Sequence, residues 1–488
     1  MQQPASPDAV AAGPPPDAGR GHAVVIGASM AGLLAARMLG DYFPRVTVVE
    51  RDRLPPGPAF RPGVPQSRHL HVLLQRGRLV LEELFPGLIA DLRAAGAQDL
   101  DWPGDFLWLS PGGWGQRFRP GLQMLSLSRE LLEWGVRRRL EAAGRVQFLQ
   151  QCEVVALLAD HGGSSVTGVR LRRRQAEEAA GGAGGVLPAD LVVDASGRNS
   201  RAPRWLEELG YAPPPEVVVN SFLGYASRTY ARPRDLPLDW KALFFQSRPP
   251  QIARAGAVFP IEGGRWIVTL AGAGRDYPPT DDDGFLAFAR SLRSPILASA
   301  LEHAEPLSSI AGYQRTENQR RRYERMARRP ERFLVLGDAV CAFNPIYGQG
   351  ITVAALDALL LADCLRRQRR RPGGEWTGLA GQFQRRLARS NATPWLMATG
   401  EDLRYPTTEG ARPGPPTRLF HRYLDRLVAA STDNRWVSRV FLRVLHLLAP
   451  PTALFRPSVL IPSLRTRPDQ GLRAAPTATP LGDRQPAP

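Results

Sequence analysis

The feature that most constrains this chain is an apolar strand that runs directly into a glycine turn and then into a helix. His22 to Ile26 is apolar from Ala23 onward, Gly27, Ser29 and Gly32 follow in the spacing G-x-G-x-x-G, and Leu33, Leu34, Ala36 and Leu39 recur at helical spacing. A second strand, Val46 to Glu50, closes a βαβ opening. In that context the first glycine allows the tight turn and the third allows close helix packing. The N-H groups at the helix start, Ala28 and Ser29 among them, are then aimed at a pyrophosphate. Ser29 replaces the usual middle glycine, but it is small and can itself donate to a phosphate oxygen. Glu50 stands 18 residues after Gly32, near the spacing at which a carboxylate meets an adenosine ribose, and Arg51 adjoins it. The expectation is a bound dinucleotide; the bland alternative is an ordinary tight βα turn.

Composition is useful mainly for what it excludes. The 488 residues carry a formal charge of +17, yet Lys241 is the sole lysine, and the arginine runs 137–139, 320–322 and 369–371 come without an aromatic-rich recognition motif. They read as solvated helix faces, and no nucleic-acid partner is expected. Cys152, Cys341 and Cys364 form no C-x-x-C pair, which argues against a disulfide framework, a zinc site or a dithiol centre, so a reducing cytoplasm is expected and no metal. Residues 1–20 lack a basic start and an apolar core, and read as a disordered leader rather than a signal peptide. No apolar run reaches about 18 residues, so no membrane-spanning helix is expected. Val440 to Leu460 is read as packing on the protein's own body in preference to peripheral membrane contact.

The order of patterns predicts an α/β chain of two lobes (α+β in the second). A Rossmann-type nucleotide domain over 21–75, 120–210 and 315–390 is interleaved with an antiparallel-sheet substrate domain over 76–119 and 211–314. A helical region, 391–470, and a disordered tail, 471–488, follow. Within this frame Leu70 to Leu84 has helical spacing, Arg129 to Ala143 reads as a helix, and the polar stretch 172–187 as an exposed connection. Residues 216–275 alternate as antiparallel strands do, while Phe333 to Leu336 and Gly350 to Leu365 return to strand and helix.

A second motif lies 300 residues on, in GDAVCAFNPIYGQG, where Gly337 and Asp338 follow a strand and Pro345, Gly348, Gln349, Gly350 and Ile351 lead into a helix. This segment resembles the C-terminal flavin motif of the single-component FAD-dependent monooxygenases, which share the para-hydroxybenzoate hydroxylase-like fold. The resemblance implies that Asp338 binds the ribityl chain and that the glycine turn approaches the isoalloxazine. Three more segments extend it. ERDRLPPGP with RPGVPQSRHLHVLL, carrying Arg61, Pro65, Gln66, Arg68, His69 and His71, is similar to the loop that passes the flavin in polyether-type polyene epoxidases. SLSRELLEWGVRRRL places Arg129 where the family has an FAD-contacting arginine. DLVVDASGRNSR, with Asp194, Ser196, Gly197, Arg198 and Ser200, matches the middle motif, but has Ser196-Gly197 where aromatic hydroxylases commonly have Asp-Gly.

The resemblance, nearest to the polyene epoxidases and more distantly to squalene epoxidase-like enzymes, implies FAD as cofactor and NAD(P)H as reductant, directly or through a partner flavin reductase. No second strand-linked G-x-G-x-x-G exists to form a separate NAD(P)H domain. The implied reaction is oxygen insertion into an apolar small molecule through a flavin C4a-hydroperoxide, most simply alkene epoxidation on a polyketide or isoprenoid of secondary metabolism, such as antibiotic biosynthesis. Ring hydroxylation, and isoprenoid reduction or oxidation, are the alternatives. Halogenation on this scaffold calls for a lysine near the flavin, and Lys241 stands outside the motifs. No side chain is assigned as a nucleophile; Arg61, Gln66, His69 and Pro345 are expected near the flavin. Trp108, Phe222, Tyr225 and Trp266 are candidates for the substrate wall, with plain core packing as the competing reading.

Overall fold

A computed structural model describes residues 21–173, 185–371, 376–468 and 474–476. The expected leader 1–20, most of the polar connection, and nearly all of the expected tail lie outside the described residues.

The first lobe is built on a five-stranded parallel sheet in the order Phe333–Val335, Leu191–Asp194, His22–Ile26, Arg45–Val49, Val146–Leu149. Its central strands are near-continuous apolar runs because they are covered by helices and by the three-stranded antiparallel sheet Cys152–Ala159, Val166–Arg173, Val186–Pro188, so the two side-chain directions of each strand are equally dry. Helix Met30–Leu39 lies on this sheet and packs against the long helix Gly350–Arg369. Leu33, Leu34 and Leu39 are fully buried there, each contributing roughly 1.5–3 kcal/mol. Helix Arg129–Ala142 starts cleanly because the Ser128 hydroxyl accepts from Leu131 N at 3.1 Å. The polar connection joins Val166–Arg173 to Val186–Pro188 as antiparallel neighbours.

The second lobe is a seven-stranded sheet in the order Ala311–Tyr313, Gly224–Ala231, Arg265–Gly272, Arg254–Ile261, Ala242–Phe245, Phe106–Ser110, Gly113–Trp114. It is antiparallel except where Phe106–Ser110 runs parallel to Ala242–Phe245. No hairpin joins that pair, so no tight turn dictates its direction. The segment expected to belong wholly to this lobe, 76–119, divides. Leu81, Leu84, Leu88 and Leu92 of its two helices sit in the core of the first lobe, while the strands Phe106–Ser110 and Gly113–Trp114 enter the substrate sheet.

The helical spacing from Leu70 is realised only from Gln75, in helix Gln75–Leu84. Upstream, tertiary partners take the backbone: Leu70 N donates to the Thr269 hydroxyl at 3.2 Å and Leu73 bridges Leu125. C-terminal helices Pro415–Asp433, Arg435–Leu445 and Pro457–Arg465 close around Leu427, Val437, Val444 and Val459. Leu442 packs onto Trp102, Phe106 and Trp108. Among the described residues no helix is long and apolar enough to cross a membrane.

Candidate active site

Both glycines of the first turn are required by space. Gly27 has φ +99° and a Cβ on it would lie 2.9 Å from the Ala195 carbonyl, while a Cβ on Gly32 would lie 1.9 Å from the Gly27 carbonyl. The turn is fastened to the second strand by Glu50, whose carboxylate accepts from Ala28 N at 2.7 Å and from Asp52 N at 3.0 Å. Arg61 adds a buried hub, bonded to Glu133 at 2.7 Å, Asp52 at 3.3 Å and the Ala28 carbonyl at 3.2 Å. Burial opposes its charge, but Glu133, Glu50 and Asp52 outweigh burial and hold its pKa above the ordinary value. Arg129 is pinned by Ser29 Oγ and Glu133, both at 2.8 Å, through Nη2. Its Nη1 is buried with no partner among the described residues.

The other wall comes from the second motif. Gly337, at φ +62°, has no room for a side chain, since a Cβ would stand 2.7 Å from Ala31 Cβ. That close approach sets Asp338 beside the first helix. Burial raises the Asp338 pKa, while Arg198 and Arg129 work in the opposite direction. Behind it, Asp357 of the long helix accepts from Gly337 N at 3.3 Å, and burial pushes its carboxyl up to about 8. Asp194 holds the middle motif in place by accepting from Ser196 N at 2.9 Å and from the Ser200 hydroxyl.

Where the two lobes meet, His69 Nδ1 bonds Ser227 Oγ at 2.8 Å, which bonds Thr269 Oγ1 at 2.7 Å. Burial, then the charge of Arg68, lowers the His69 pKa to about 4, so the ring is neutral at physiological pH. Tyr225 and Tyr313 lie 6.0 and 5.4 Å from it between ring centroids. His71, bonded through Nδ1 to the His69 carbonyl oxygen at 3.0 Å, is lowered by burial and by Arg129 to about 3.

These walls enclose one cavity of about 360 Å³. Of the residues expected at the site, Gly27, Ser29, Glu50, Arg51, Arg61, Pro65, Gln66, His69, His71, Arg129, Ser196, Gly197, Arg198, Tyr225, Asp338, Pro345, Gly348, Gly350 and Ile351 line it. The rest do not. Gly32 is buried in packing and Ala28 gives its N-H to Glu50. Gln349 is turned inward, with Nε2 3.9 Å from Met397 Sδ. Arg68 is exposed, over the Phe60 ring at 3.9 Å.

Three wall candidates need correcting, because an aromatic residue in an alternating strand fills core as readily as cavity. Trp266 is fully buried and stacked on Trp240, Trp108 is buried beside Trp102 and Phe441, and Phe222 sits at φ 49° under Arg275. The wall is instead made by Tyr225, Tyr313, Thr269, Phe244 and the small residues Ala255, Gly256, Ala257 and Ala271. No local motif marks Tyr313 or Thr269; only sheet register brings them to His69.

Residues 21–377 match the FAD binding domain family. This chain belongs to that family. It is 35% identical over 442 residues to Protein Rv3254 of Mycobacterium tuberculosis (strain ATCC 25618 / H37Rv), covering 86% of this chain and 89% of that one. Its fold is like that of the flavin-dependent brominase Bmp2, at a TM-score of 0.61 and 17% identity, over 87% of this chain and 93% of that chain. It is also like PqsL, a probable FAD-dependent monooxygenase from Pseudomonas aeruginosa, at 0.55 and 19%, over 86% and 99%. The protein is thus an FAD-dependent enzyme with the monooxygenase and halogenase fold. The residues present fit FAD: the cavity carries an unpaired buried guanidinium nitrogen at Arg129, and two helix N-termini, at Met30 and Gly350, open on it.

Proposed function

We propose that this protein is a monooxygenase that inserts one oxygen atom of O2 into an apolar substrate, with epoxidation of an alkene in a polyketide or isoprenoid as its reaction. The observation that carries this reading is the continuity of one cavity, from the Gly27 turn and Arg129 to a chamber floored by Ala255, Gly256, Ala257 and Ala271. Bound FAD supplies the reducing equivalents and the activation of oxygen, with NAD(P)H as the source, directly or through a partner reductase.

The chain supplies the rest. Arg129 Nη1 and the first amides of helix Met30–Leu39 would bind the pyrophosphate, and Glu50 the adenosine ribose. Asp338 would accept from ribityl hydroxyls. The N-terminus of the long helix at Gly350 and Ile351 would face the ring edge where negative charge gathers on reduction. Small side chains on the sheet leave room for a broad substrate, and Phe244, Leu70 and Val72 keep the chamber apolar and short of water. Neutral His69, held through Ser227, offers one uncharged hydrogen bond at the junction of the lobes. Gln66 and Pro65, from the loop resembling that of the polyene epoxidases, line the same junction and support epoxidation over ring hydroxylation. Halogenation lacks its lysine, since Lys241 is exposed, paired with Asp105 at 3.4 Å, and absent from the lining.

Purified protein supplied with NADPH and isotope-labelled oxygen is to be offered a linear polyene, an isoprenoid alkene and a phenol, with products read by mass spectrometry. One heavy oxygen atom in an epoxide is the expected result. Label in a ring hydroxyl, peroxide with no labelled product, or a bromide-dependent product would each overturn it.

A further inference from the structure

The turn Asn344–Gly348 lines the cavity between Asp338 and the long helix, and its side chains converge on a residue far along the chain. Asp402 ends helix Ala392–Asp402, beyond the stretch that matches the FAD binding domain family, and is 2% exposed. Its Oδ1 accepts from the Tyr347 hydroxyl at 2.8 Å, its Oδ2 from Asn318 Nδ2 at 2.7 Å, and both oxygens from Asn344 Nδ2 at 3.1 Å. The Ser221 hydroxyl bonds it too. Asn344 then passes the constraint on: its Oδ1 accepts from Ile346 N at 3.3 Å and from the hydroxyl of Tyr225, also at 3.3 Å.

All these partners are neutral donors, so a carboxylate sits in a dry place with hydrogen bonds alone to hold its charge. Burial raises its pKa to about 6, against the pull of those donors, and at physiological pH it is mostly ionised. Tyr347 remains a donor, because burial and the charge of Asp402 hold its hydroxyl well above the ordinary value. An acceptor of four donors from three separate segments fixes all of them at once, which no single neutral side chain there would do.

We propose that Asp402 is a positioning residue of the flavin site: it locks Asn344 and Tyr347, and through them the turn facing the isoalloxazine and the Tyr225 hydroxyl at the substrate chamber. The inference rests on FAD occupying this cavity as argued above. It gives the C-terminal helical region a part in the active site, since the anchor of a turn in the flavin domain is delivered from outside that domain. Its negative charge behind the turn also disfavours added electron density on the ring, so its removal eases reduction.

The test uses the full-length holoprotein with Asp402→Asn, Tyr347→Phe, and Glu401→Gln as a control on the same helix. FAD affinity is read by fluorescence titration of the apoprotein, folding by the melting curve, and the midpoint potential of bound FAD by slow anaerobic reduction with a reference dye. Asp402→Asn is expected to melt cooperatively, bind FAD about tenfold more weakly and have a more positive midpoint potential, as a lost set of charge-assisted hydrogen bonds implies. Tyr347→Phe is expected to weaken FAD binding in the same direction but less, and Glu401→Gln to match wild type. Folded Asp402→Asn and Tyr347→Phe with wild-type affinity and potential would overturn the proposal, as would equal changes in Glu401→Gln. If Asp402→Asn does not fold, Tyr347→Phe decides alone. A wild-type protein that binds no FAD would instead defeat the assignment of the cavity.

Discussion

Arg129 shows how much of the site can rest on one side chain. One guanidinium nitrogen is fixed by Ser29 and Glu133, and the other is buried and unpaired, so the group is preorganised for an anion that completes it. Arg129→Ala is expected to weaken FAD binding by about tenfold to a hundredfold, the value of one charged hydrogen bond, and Arg129→Lys to restore little of it because an ammonium cannot bridge as the planar fork does. Titration of the apoprotein with FAD checks both; unchanged affinity in Arg129→Ala would remove it from the site. Trp266 makes the opposite case. Fully buried against Trp240 and away from the cavity, it should cost about 3–5 kcal/mol of stability on replacement by Ala, while FAD affinity in the folded fraction stays at wild type.

At the scale of elements, the first helix is held against the Gly27 turn, and the long helix to the Gly337 turn, by close contacts. Gly32→Ala would drive a methyl group against the Gly27 carbonyl, so the helix must shift from the strand and the N-terminal amides must leave their aim. Low FAD content together with a lowered melting temperature is the expected outcome, and a normal holoprotein would refute the packing argument. Asp357 ties the long helix to the Gly337 turn with a carboxyl raised to about 8. The folded state therefore holds this proton more tightly than the unfolded one, and the stability it contributes is present below about pH 4 and lost as pH rises through about 8. Asp357→Asn, which keeps an acceptor for Gly337 N, should gain melting temperature relative to wild type as pH rises across that window and level off above it. A difference independent of pH would show that Asp357 is not neutral in the fold.

For the whole molecule, the junctions between lobes are where buried histidines sit. His69 joins the nucleotide side to the substrate sheet, and His446 of the C-terminal region accepts from Gln75 N at 3.3 Å and lies against Trp102. Burial lowers both to about 4. The stability they contribute is present above about pH 6.5 and lost as pH falls through about 4, so acidification is expected to loosen the assembly of lobes before it melts the parallel sheet. Melting curves and limited proteolysis between pH 7 and pH 4 check this; His446→Gln should flatten the decline, and an unaltered decline would place the acid sensitivity elsewhere.

The chain's local patterns by themselves determined the parallel sheet, the Gly27 turn and the Asp338 motif. Continuous apolar runs and glycines between strand and helix leave few other ways to bury the one and turn the other, and both signals are read within a dozen residues. Glu50 was legible for the same reason, at the end of such a strand, whereas Arg129 was named by the family resemblance; both line the cavity. Tertiary structure alone decided which aromatics border the cavity, that Tyr313 and Thr269 meet His69, and that Asp402 reaches the Asn344–Gly348 turn. A tryptophan is equally apolar in core or chamber, and a carboxylate finds its donors only when strands and helices distant in sequence come together, so neither outcome is written in the neighbouring residues.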